Sequence, residues 1–214
     1  MSFGPLPGAD ARPVTRPRTH RRRVTKSAGR RDVMALASLL LGYPDDLMDE
    51  MQDQLSDAVG ALPASAAASD LRDFLEWFVN TDAAERRVEY VRTFDHRRRS
   101  ALYVTFAPYG DSRSRGDALA SLRHRYNDAG FVESSEELPD YLPTVLQFAA
   151  QVGDAEADAV LAESRVGIES IHDALQAHRS PYAAVLRAVI RCLPGEAPSP
   201  SPLQAVPDLE GAMA

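Results

Sequence analysis

Apolar residues recur along the chain at the three- and four-residue spacing of amphipathic helices, and the strict alternation typical of strands is absent. The clearest stripe is Leu71, Phe74, Leu75 and Phe78, which marks one face of a helix. Comparable stripes are formed by Leu36, Leu39 and Leu40; by Leu47, Met51, Leu55, Ala58 and Leu62; by Val88, Val91 and Phe94; by Leu119, Leu122 and Tyr126; by Leu161, Ile168, Ile171 and Leu175, with Ser164 among them; and by Tyr182, Val185, Leu186, Val189 and Leu193. The pattern predicts about eight or nine helices with short links, hence an all-α, single-domain helical bundle.

Capping residues mark several ends of these helices. Gly42 follows the first stripe, and Asp82 stands where a capping box would begin a helix. Gly130 is placed as a C-terminal cap. Ser180 followed by Pro181 predicts an N-cap with proline at the first helical position.

Two prolines complicate one stripe, which runs from Leu138 to Val152 across Pro139 and Pro143. In a continuous helix, Pro143 has no N–H for the carbonyl of Pro139, and its ring clashes there. Two structures satisfy the pattern: a kinked helix, or a tight turn that opens onto a helix.

The two ends of the chain lack apolar periodicity. Residues 1–31 are rich in arginine and proline, and five prolines lie between Pro194 and Ala214. Such composition predicts disordered tails at 1–31 and 195–214, and a folded helical domain at 32–194.

Charge separates the first tail from the rest. Residues 1–31 hold nine basic residues and one acid, a net charge of +8, whereas the remaining chain has a net charge of -15. An acidic body disfavours nucleic acid and favours a basic partner, although solubility alone would also explain it. A disordered basic tail that binds phosphates would instead make this a nucleic-acid-binding protein, the alternative hypothesis.

The sequence contains few residues or motifs that indicate catalysis or metal binding. The single cysteine, Cys192, excludes an internal disulfide and suits a reducing cytoplasm. The five histidines form no i, i+3 or i, i+4 pair, and phosphate loops and nucleophile elbows are missing. No apolar run is long enough to span a membrane. We therefore expect no catalytic residues, no metal site and no enzymatic activity.

Several motifs in sequence order resemble one known family. They are LLLGYP at 39–44, YVRTFDHRRRS at 90–100, YGDSRSRG at 109–116, AGF at 129–131 and ELPDYLP at 137–143. Together they resemble the nitrate reductase molybdenum-cofactor assembly chaperones, also called the delta chain or NarJ family. The resemblance covers roughly residues 32–193.

The resemblance implies the fold of the TorD-like redox-enzyme chaperones and a client-binding activity. Members of this family bind the apo catalytic (alpha) subunit of a respiratory nitrate reductase, mainly at its N-terminal peptide. They keep it competent for insertion of molybdopterin guanine dinucleotide and delay its docking at the membrane. The chaperone would hold no cofactor stably, and proteins of cofactor biosynthesis are further expected partners.

The motifs also indicate where a client would bind. The candidate residues are Phe94, Asp95, Tyr103, Tyr109, Gly110, Arg113, Arg115, Leu138, Pro139, Asp140, Tyr141 and Pro143. Tyr141 departs from the family's usual histidine; it keeps a ring and a hydrogen-bonding tip but cannot become a cation near neutral pH. Asp140 accepts hydrogen bonds from a peptide on one hypothesis and caps a helix on the other. Arg113 and Arg115 either bind acidic groups or lie in a solvated turn.

Overall fold

The computed structural model describes residues 19–95, 99–132 and 137–195, with the backbone alone for 19–28. This part of the chain contains ten α-helices and one π-helical turn, Val91–Asp95. The helices are α1 (Thr19–Leu40), α2 (Asp46–Glu50), α3 (Gln52–Gly60), α4 (Ala66–Asn80), α5 (Ala83–Tyr90), α6 (Phe106–Tyr109), α7 (Arg113–Asp128), α8 (Leu142–Gln151), α9 (Asp154–Ala177) and α10 (Tyr182–Cys192). The predicted all-α bundle is confirmed. None of the described helices has the length and hydrophobicity needed to cross a membrane.

The body of the molecule is a set of helices packed around an aromatic cluster. Helix α1 lies along α8 and α10, α4 lies along α10, and α9 packs on α8 and α10. The fully buried Tyr182 is the hub of the cluster, with ring centroids 4.9 Å from Phe94 and 5.0 Å from Phe74. Such ring pairs stabilise a core beyond their buried area.

Helix α9 is the longest element with a continuous buried seam. The predicted stripe of Leu161, Ile168, Ile171 and Leu175 is buried, as is Ser164. Two residues beyond the end of this helix, Arg179 adopts a left-handed conformation with a φ of 52°. The N–H of Ser180 then donates to the Leu175 carbonyl, so the last turn is closed by the backbone.

Two predicted stripes meet the core differently from expectation. In α5 the prediction that Val88 faces the core is wrong, because Val88 is exposed and Arg86 is buried. The guanidinium of Arg86 lies 4.0 Å from the centre of the Phe78 ring and pairs with Asp49 at 2.7 Å. A cation that has both a ring face and a carboxylate can replace an aliphatic side chain in a core.

The exposure of Leu39 and Leu47 is the second departure from the predicted stripes. The stripe that begins at Leu47 is divided between α2 and α3, which meet at Met51. A change of direction there turns Leu47 outward while Leu55 stays in the core.

Of the two conformations proposed for the proline segment, the molecule adopts the tight turn that opens onto a helix. The N–H of Tyr141 donates to the Leu138 carbonyl at 2.9 Å, and α8 begins at Leu142 with Pro143 in its first turn. Proline is well tolerated there because the N–H groups of the first turn have no helical partner. Leu138 is thus outside the helix and exposed.

The predicted boundary at residue 31 falls inside α1, which begins at Thr19. Within this helix, Arg30 and Arg31 pair with Asp158 and Asp154 at the start of α9. Residues 1–18 and 196–214, which hold most of the two predicted tails, lie outside the described residues.

Most predicted caps are found in the structure. Asp82 caps α5 by accepting from the N–H of Ala84, and Gly130 follows α7 with a φ of 69°. At α10 the expected N-cap, Ser180, is shifted by one residue: Pro181 occupies that position, without a side-chain bond.

Candidate functional site

An open groove of about 780 Å³ lies between helix α9 and the segment 99–110. The segment contributes Arg99, Ala101, Tyr103, Phe106, Ala107 and Gly110. Helix α9 contributes Val166, Glu169, Ser170, Ile171, Asp173, Ala174 and Ala177. This concave surface is large enough to receive part of another chain, and we call the segment 99–110 the groove wall.

Backbone hydrogen bonds fasten the groove wall to the turn before α8. Tyr103 and Tyr141 form an isolated antiparallel bridge. The N–H of Val104 donates to the Asp140 carbonyl at 3.0 Å, and the N–H of Leu142 donates to the Leu102 carbonyl at 2.7 Å. These bonds make a strand-like clamp in an otherwise helical molecule.

The side chain of Asp140 reinforces this clamp from inside. It is fully buried, and its Oδ2 accepts from the hydroxyl and the N–H of Thr105 and from Arg115, 3.4 Å away. Its Oδ1 is buried without a hydrogen-bond partner among the described residues. A buried carboxylate needs such donors, because desolvation otherwise costs several kcal/mol. Asp140 therefore ties the groove wall, the turn and α7 together.

Gly167 permits the close approach of α9 to the groove wall. A Cβ atom built on Gly167 would lie 1.9 Å from the carbonyl oxygen of Val104. Only glycine fits this contact between two backbones, and it sets the separation of the two sides at the base of the groove.

A tyrosine pair stands beside the clamp. The rings of Tyr103 and Tyr141 lie 5.7 Å apart, and the Tyr103 hydroxyl donates to Glu137 at 2.7 Å. Burial and this acceptor raise the pKa of Tyr103 to about 12. Burial also raises the pKa of Tyr141. Both tyrosines therefore stay protonated near neutral pH.

The groove surface combines aromatic, small and charged groups. Tyr103 and Phe106 face the groove from its wall. On α9, the acids Glu169 and Asp173 are one helical turn apart; the side chain of Asp173 is 81% exposed, and Glu169 pairs with Arg165 at 2.9 Å. The surface suits a chain with apolar and basic side chains.

Of the twelve predicted candidates, Tyr103 and Gly110 line the groove itself. The others in its neighbourhood are Tyr109 on α6, Arg115, whose guanidinium lies 5.9 Å from the centre of the Phe106 ring, Asp140 and Tyr141. Phe94 belongs to the aromatic cluster of the body, and Asp95 is exposed at the end of the π-helical turn. Arg113 is exposed at the start of α7, and Leu138 is exposed in the turn.

Pro139 and Pro143 serve the fold through their carbonyl groups. The Pro139 carbonyl accepts from the Tyr126 hydroxyl at 2.8 Å, and the Pro143 carbonyl accepts from the Ser38 hydroxyl at 2.7 Å. The capping alternative for Asp140 is wrong, because the N-cap position of α8 is Tyr141.

Sequence reasoning missed the α9 side of the groove. Several residues of that side, such as Ser170 and Ala174, are small and belong to no motif. The signal that existed was Gly167 inside a 24-residue helix, since a glycine there usually marks a close approach of another backbone. Among the described residues, no three His, Cys, Asp or Glu side chains are placed to hold a metal ion together.

The family model described as nitrate reductase delta subunit matches residues 48–188, a span that contains both sides of the groove. The chain is 34% identical over 160 residues to the probable nitrate reductase molybdenum cofactor assembly chaperone NarJ of Bacillus subtilis (strain 168). That match covers 73% of this chain and 85% of the relative.

Two further relatives extend the comparison. The nitrate reductase molybdenum cofactor assembly chaperone NarJ of Escherichia coli (strain K12) is 30% identical over 161 residues, which are 74% of this chain and 68% of that protein. The nitrate reductase-like protein NarX of Mycobacterium tuberculosis (strain ATCC 25618 / H37Rv) is 32% identical over 167 residues, which are 74% of this chain but 24% of that protein. These matches confirm the resemblance seen in the motifs: the chain belongs to the nitrate reductase delta subunit family of molybdenum-cofactor assembly chaperones.

Proposed function

We propose that this chain is a chaperone that holds the catalytic subunit of a nitrate reductase until its molybdenum cofactor is inserted. The observation that carries the proposal is the groove of about 780 Å³. Two relatives of this chain are named as nitrate reductase cofactor assembly chaperones, which supports this choice of client. We place the N-terminal peptide of the client in the groove, in helical form.

The shape of the groove supports a helical occupant. Ser170, Ala174 and Ala177 give the α9 side a low surface that a second helix can approach closely. Tyr103 and Phe106 stand opposite and offer ring faces to bulky apolar side chains. A helix laid in a groove with its apolar face inward is a common mode of peptide recognition.

Charge favours a basic peptide. The chain after residue 31 has a net charge of -15, and Glu169 and Asp173 lie on the groove itself. Lysine or arginine residues four apart on the peptide would face these two acids. Complementary charge speeds association and selects against acidic peptides.

The rest of the proposal follows from the family resemblance. The chain binds and releases its client without catalysing a reaction and without keeping a cofactor, while the client receives molybdopterin guanine dinucleotide. Occupation of the N-terminal peptide would delay docking of the client at the membrane, so the work is done in the cytoplasm. Proteins of cofactor biosynthesis are the further partners that this role requires.

Asp140 acts as a positioning residue in this proposal. Its side chain is fully buried, so it does not reach a bound peptide in this conformation. It holds Thr105 and Arg115 and thereby the groove wall.

The test is calorimetric titration of the full chain with a peptide of the first few tens of residues of the partner catalytic subunit. Ala174→Trp fills the groove from the last turn of α9 and should weaken binding more than ten-fold, because the peptide helix loses its close approach. Ala155→Trp is the matched control, since Ala155 lies on the exposed first turn of the same helix.

Two outcomes would contradict the proposal. One is the absence of binding heat when the chain is folded and the peptide intact. The other is equal weakening by Ala155→Trp and Ala174→Trp, which would place the peptide elsewhere.

A further inference from the structure

The C-terminal segment leaves the body of the molecule beside the groove. After α10 ends at Cys192, the carbonyl of Pro194 accepts a hydrogen bond from Nη2 of Arg165 on α9. Nη1 of the same guanidinium pairs at 2.9 Å with Glu169, which lines the groove. A single arginine side chain therefore joins the start of this segment to the groove surface.

The groove surface nearest to this exit is apolar. Val166, the residue after this arginine, lines the groove and is 58% exposed. The next residue, Gly167, closely approaches the backbone of Val104, so Val166 lies where α9 meets the groove wall. Tyr103 and Phe106 add ring faces to the groove. Covering such an apolar surface with another part of the chain is favourable.

The sequence beyond Pro194 has the length and the apolar spacing to cover this surface. Twenty residues follow, and Leu203, Val206 and Leu209 recur among them every third residue, after a proline-rich stretch. In a polyproline II conformation, with three residues per turn, these three would share one face and span about 19 Å. The α9 side of the groove, residues 166–177, is about 16 Å long. The similar lengths allow all three side chains to contact the groove.

Charge makes this segment a weaker occupant than a basic client. It has no basic residue and carries three acids, Glu196, Asp208 and Glu210. The groove presents the carboxylates of Glu169 and Asp173, the first of them paired with Arg165, and the guanidinium of Arg99. The like charges oppose the apolar attraction, whereas a basic peptide gains from both charge and apolar contact. A basic client can therefore displace the segment.

The covalent connection compensates for the weak affinity. Eight residues separate Pro194 from Leu203, and a short linker gives an effective concentration in the millimolar range. A segment whose own Kd is about 1 mM would then fill the groove about half of the time.

We propose that the C-terminal segment occupies the groove of its own chain through Leu203, Val206 and Leu209, and that a client displaces it. The displacement rests on the proposed function, whereas the occupation does not. The segment would cover the apolar groove in the absence of a client and select for peptides that bind more tightly than it does.

The first experiment tests the occupation without a client. The backbone N–H signals of Val166, Ser170 and Ala174 are compared by NMR between the full chain and a triple variant, Leu203→Ser, Val206→Ser and Leu209→Ser. The signals should differ, because the variant has lost the apolar side chains that hold the segment. A synthetic peptide of residues 196–214, added to the variant at millimolar concentration, should move the signals back toward their positions in the full chain.

The matched control changes three residues of the same segment that lie off the proposed face: Gln204→Ser, Ala205→Ser and Gly211→Ser. It should leave the groove signals where they are in the full chain. The proposal is overturned if the triple variant has the same groove signals as the full chain, or if the peptide does not move them.

Two other occupants would also overturn the proposal. A signal difference that disappears on dilution would place the segment in the groove of a second copy. Alternatively, the groove signals could change in a variant of the basic N-terminal residues but not in the triple variant, which would identify the N-terminal segment as the occupant. That variant is Arg12→Gln, Arg16→Gln and Arg18→Gln.

The second experiment measures competition by calorimetric titration with the client peptide. The triple variant should bind the client at least about two-fold more tightly than the full chain, because the competing segment is gone. The matched control should bind it as the full chain does. Equal affinities of the full chain and the triple variant would overturn the displacement. A client peptide that binds neither chain contradicts the proposed function, while the NMR comparison still decides the occupation.

Discussion

The helical body and the groove wall are held by different kinds of interaction. In the body, Tyr182, Phe74 and Phe94 bury their rings against one another with almost no exposure. The groove wall is held by two backbone hydrogen bonds, one buried carboxylate and one glycine contact. Apolar packing resists opening in proportion to buried area, while a few polar bonds can exchange with water.

Because of this difference, we expect mutations in the two regions to have different effects. Loss of packing in the body should unfold the whole domain, whereas changes at the clamp should first free the groove wall. Trp77, the chain's single tryptophan, lies 5.8 Å from the Tyr182 ring and reports on the body. Hydrogen exchange at the Val104 N–H reports on the groove wall, because that N–H donates to the Asp140 carbonyl.

The largest effect is expected in the body. Tyr182→Ala should lower the free energy of unfolding by about 3–5 kcal/mol, because it empties the centre of the aromatic cluster. Urea unfolding followed by Trp77 fluorescence and by helical circular dichroism should give one coincident transition. Two separate transitions would show that the body is not one cooperative unit.

Gly167→Ala should have the next largest effect. Its methyl group would collide with the Val104 backbone, and we expect a loss of about 3 kcal/mol, the upper end of the range for overpacking. Gly116→Ala is the matched control, because Gly116 is also within a helix but has open space around it. That change should stabilise the protein by roughly 0.5–1 kcal/mol. The same sign for both glycines would contradict the close approach.

The smallest of the three effects is expected for Asp140→Ala. It leaves Thr105 and Arg115 without their acceptor, which should cost about 2 kcal/mol. Client affinity should fall and exchange at the Val104 N–H should accelerate, with helical content nearly unchanged. The loss of stability caused by Asp140→Asn, which keeps one acceptor oxygen, should be smaller than that caused by Asp140→Ala. Unchanged exchange at Val104 would exclude a role for Asp140 in the clamp.

The sequence predicted the helical fold well because helix periodicity is local. The stripes of α4 and α9 are buried as expected, and the turn at Gly130 is where its glycine indicated. The errors occur where tertiary contacts override local pattern. A buried Arg86 depends on Phe78 in the preceding helix and on Asp49, which is distant in sequence, so the Val88 stripe did not predict it.

The candidate site was found in part, for the same reason. Motifs marked one side, including Tyr103 and Gly110, because turns and aromatic residues are recognisable locally. The other side is an exposed face of α9 made of ordinary residues such as Ser170 and Ala174. Only the three-dimensional juxtaposition across Gly167 identifies that face as part of a groove.

Few positions of helix α9 can accept substitutions, since one of its faces packs in the core and the adjacent face forms a side of the groove. In a library that varies every position of α9, we expect substitutions to be accepted chiefly at solvent positions such as Ala155 and Glu156. New client preferences would then arise by substitutions in the groove wall, around Tyr103 and Phe106. The sequence of α9 would then stay nearly constant while client preference changes through the groove wall.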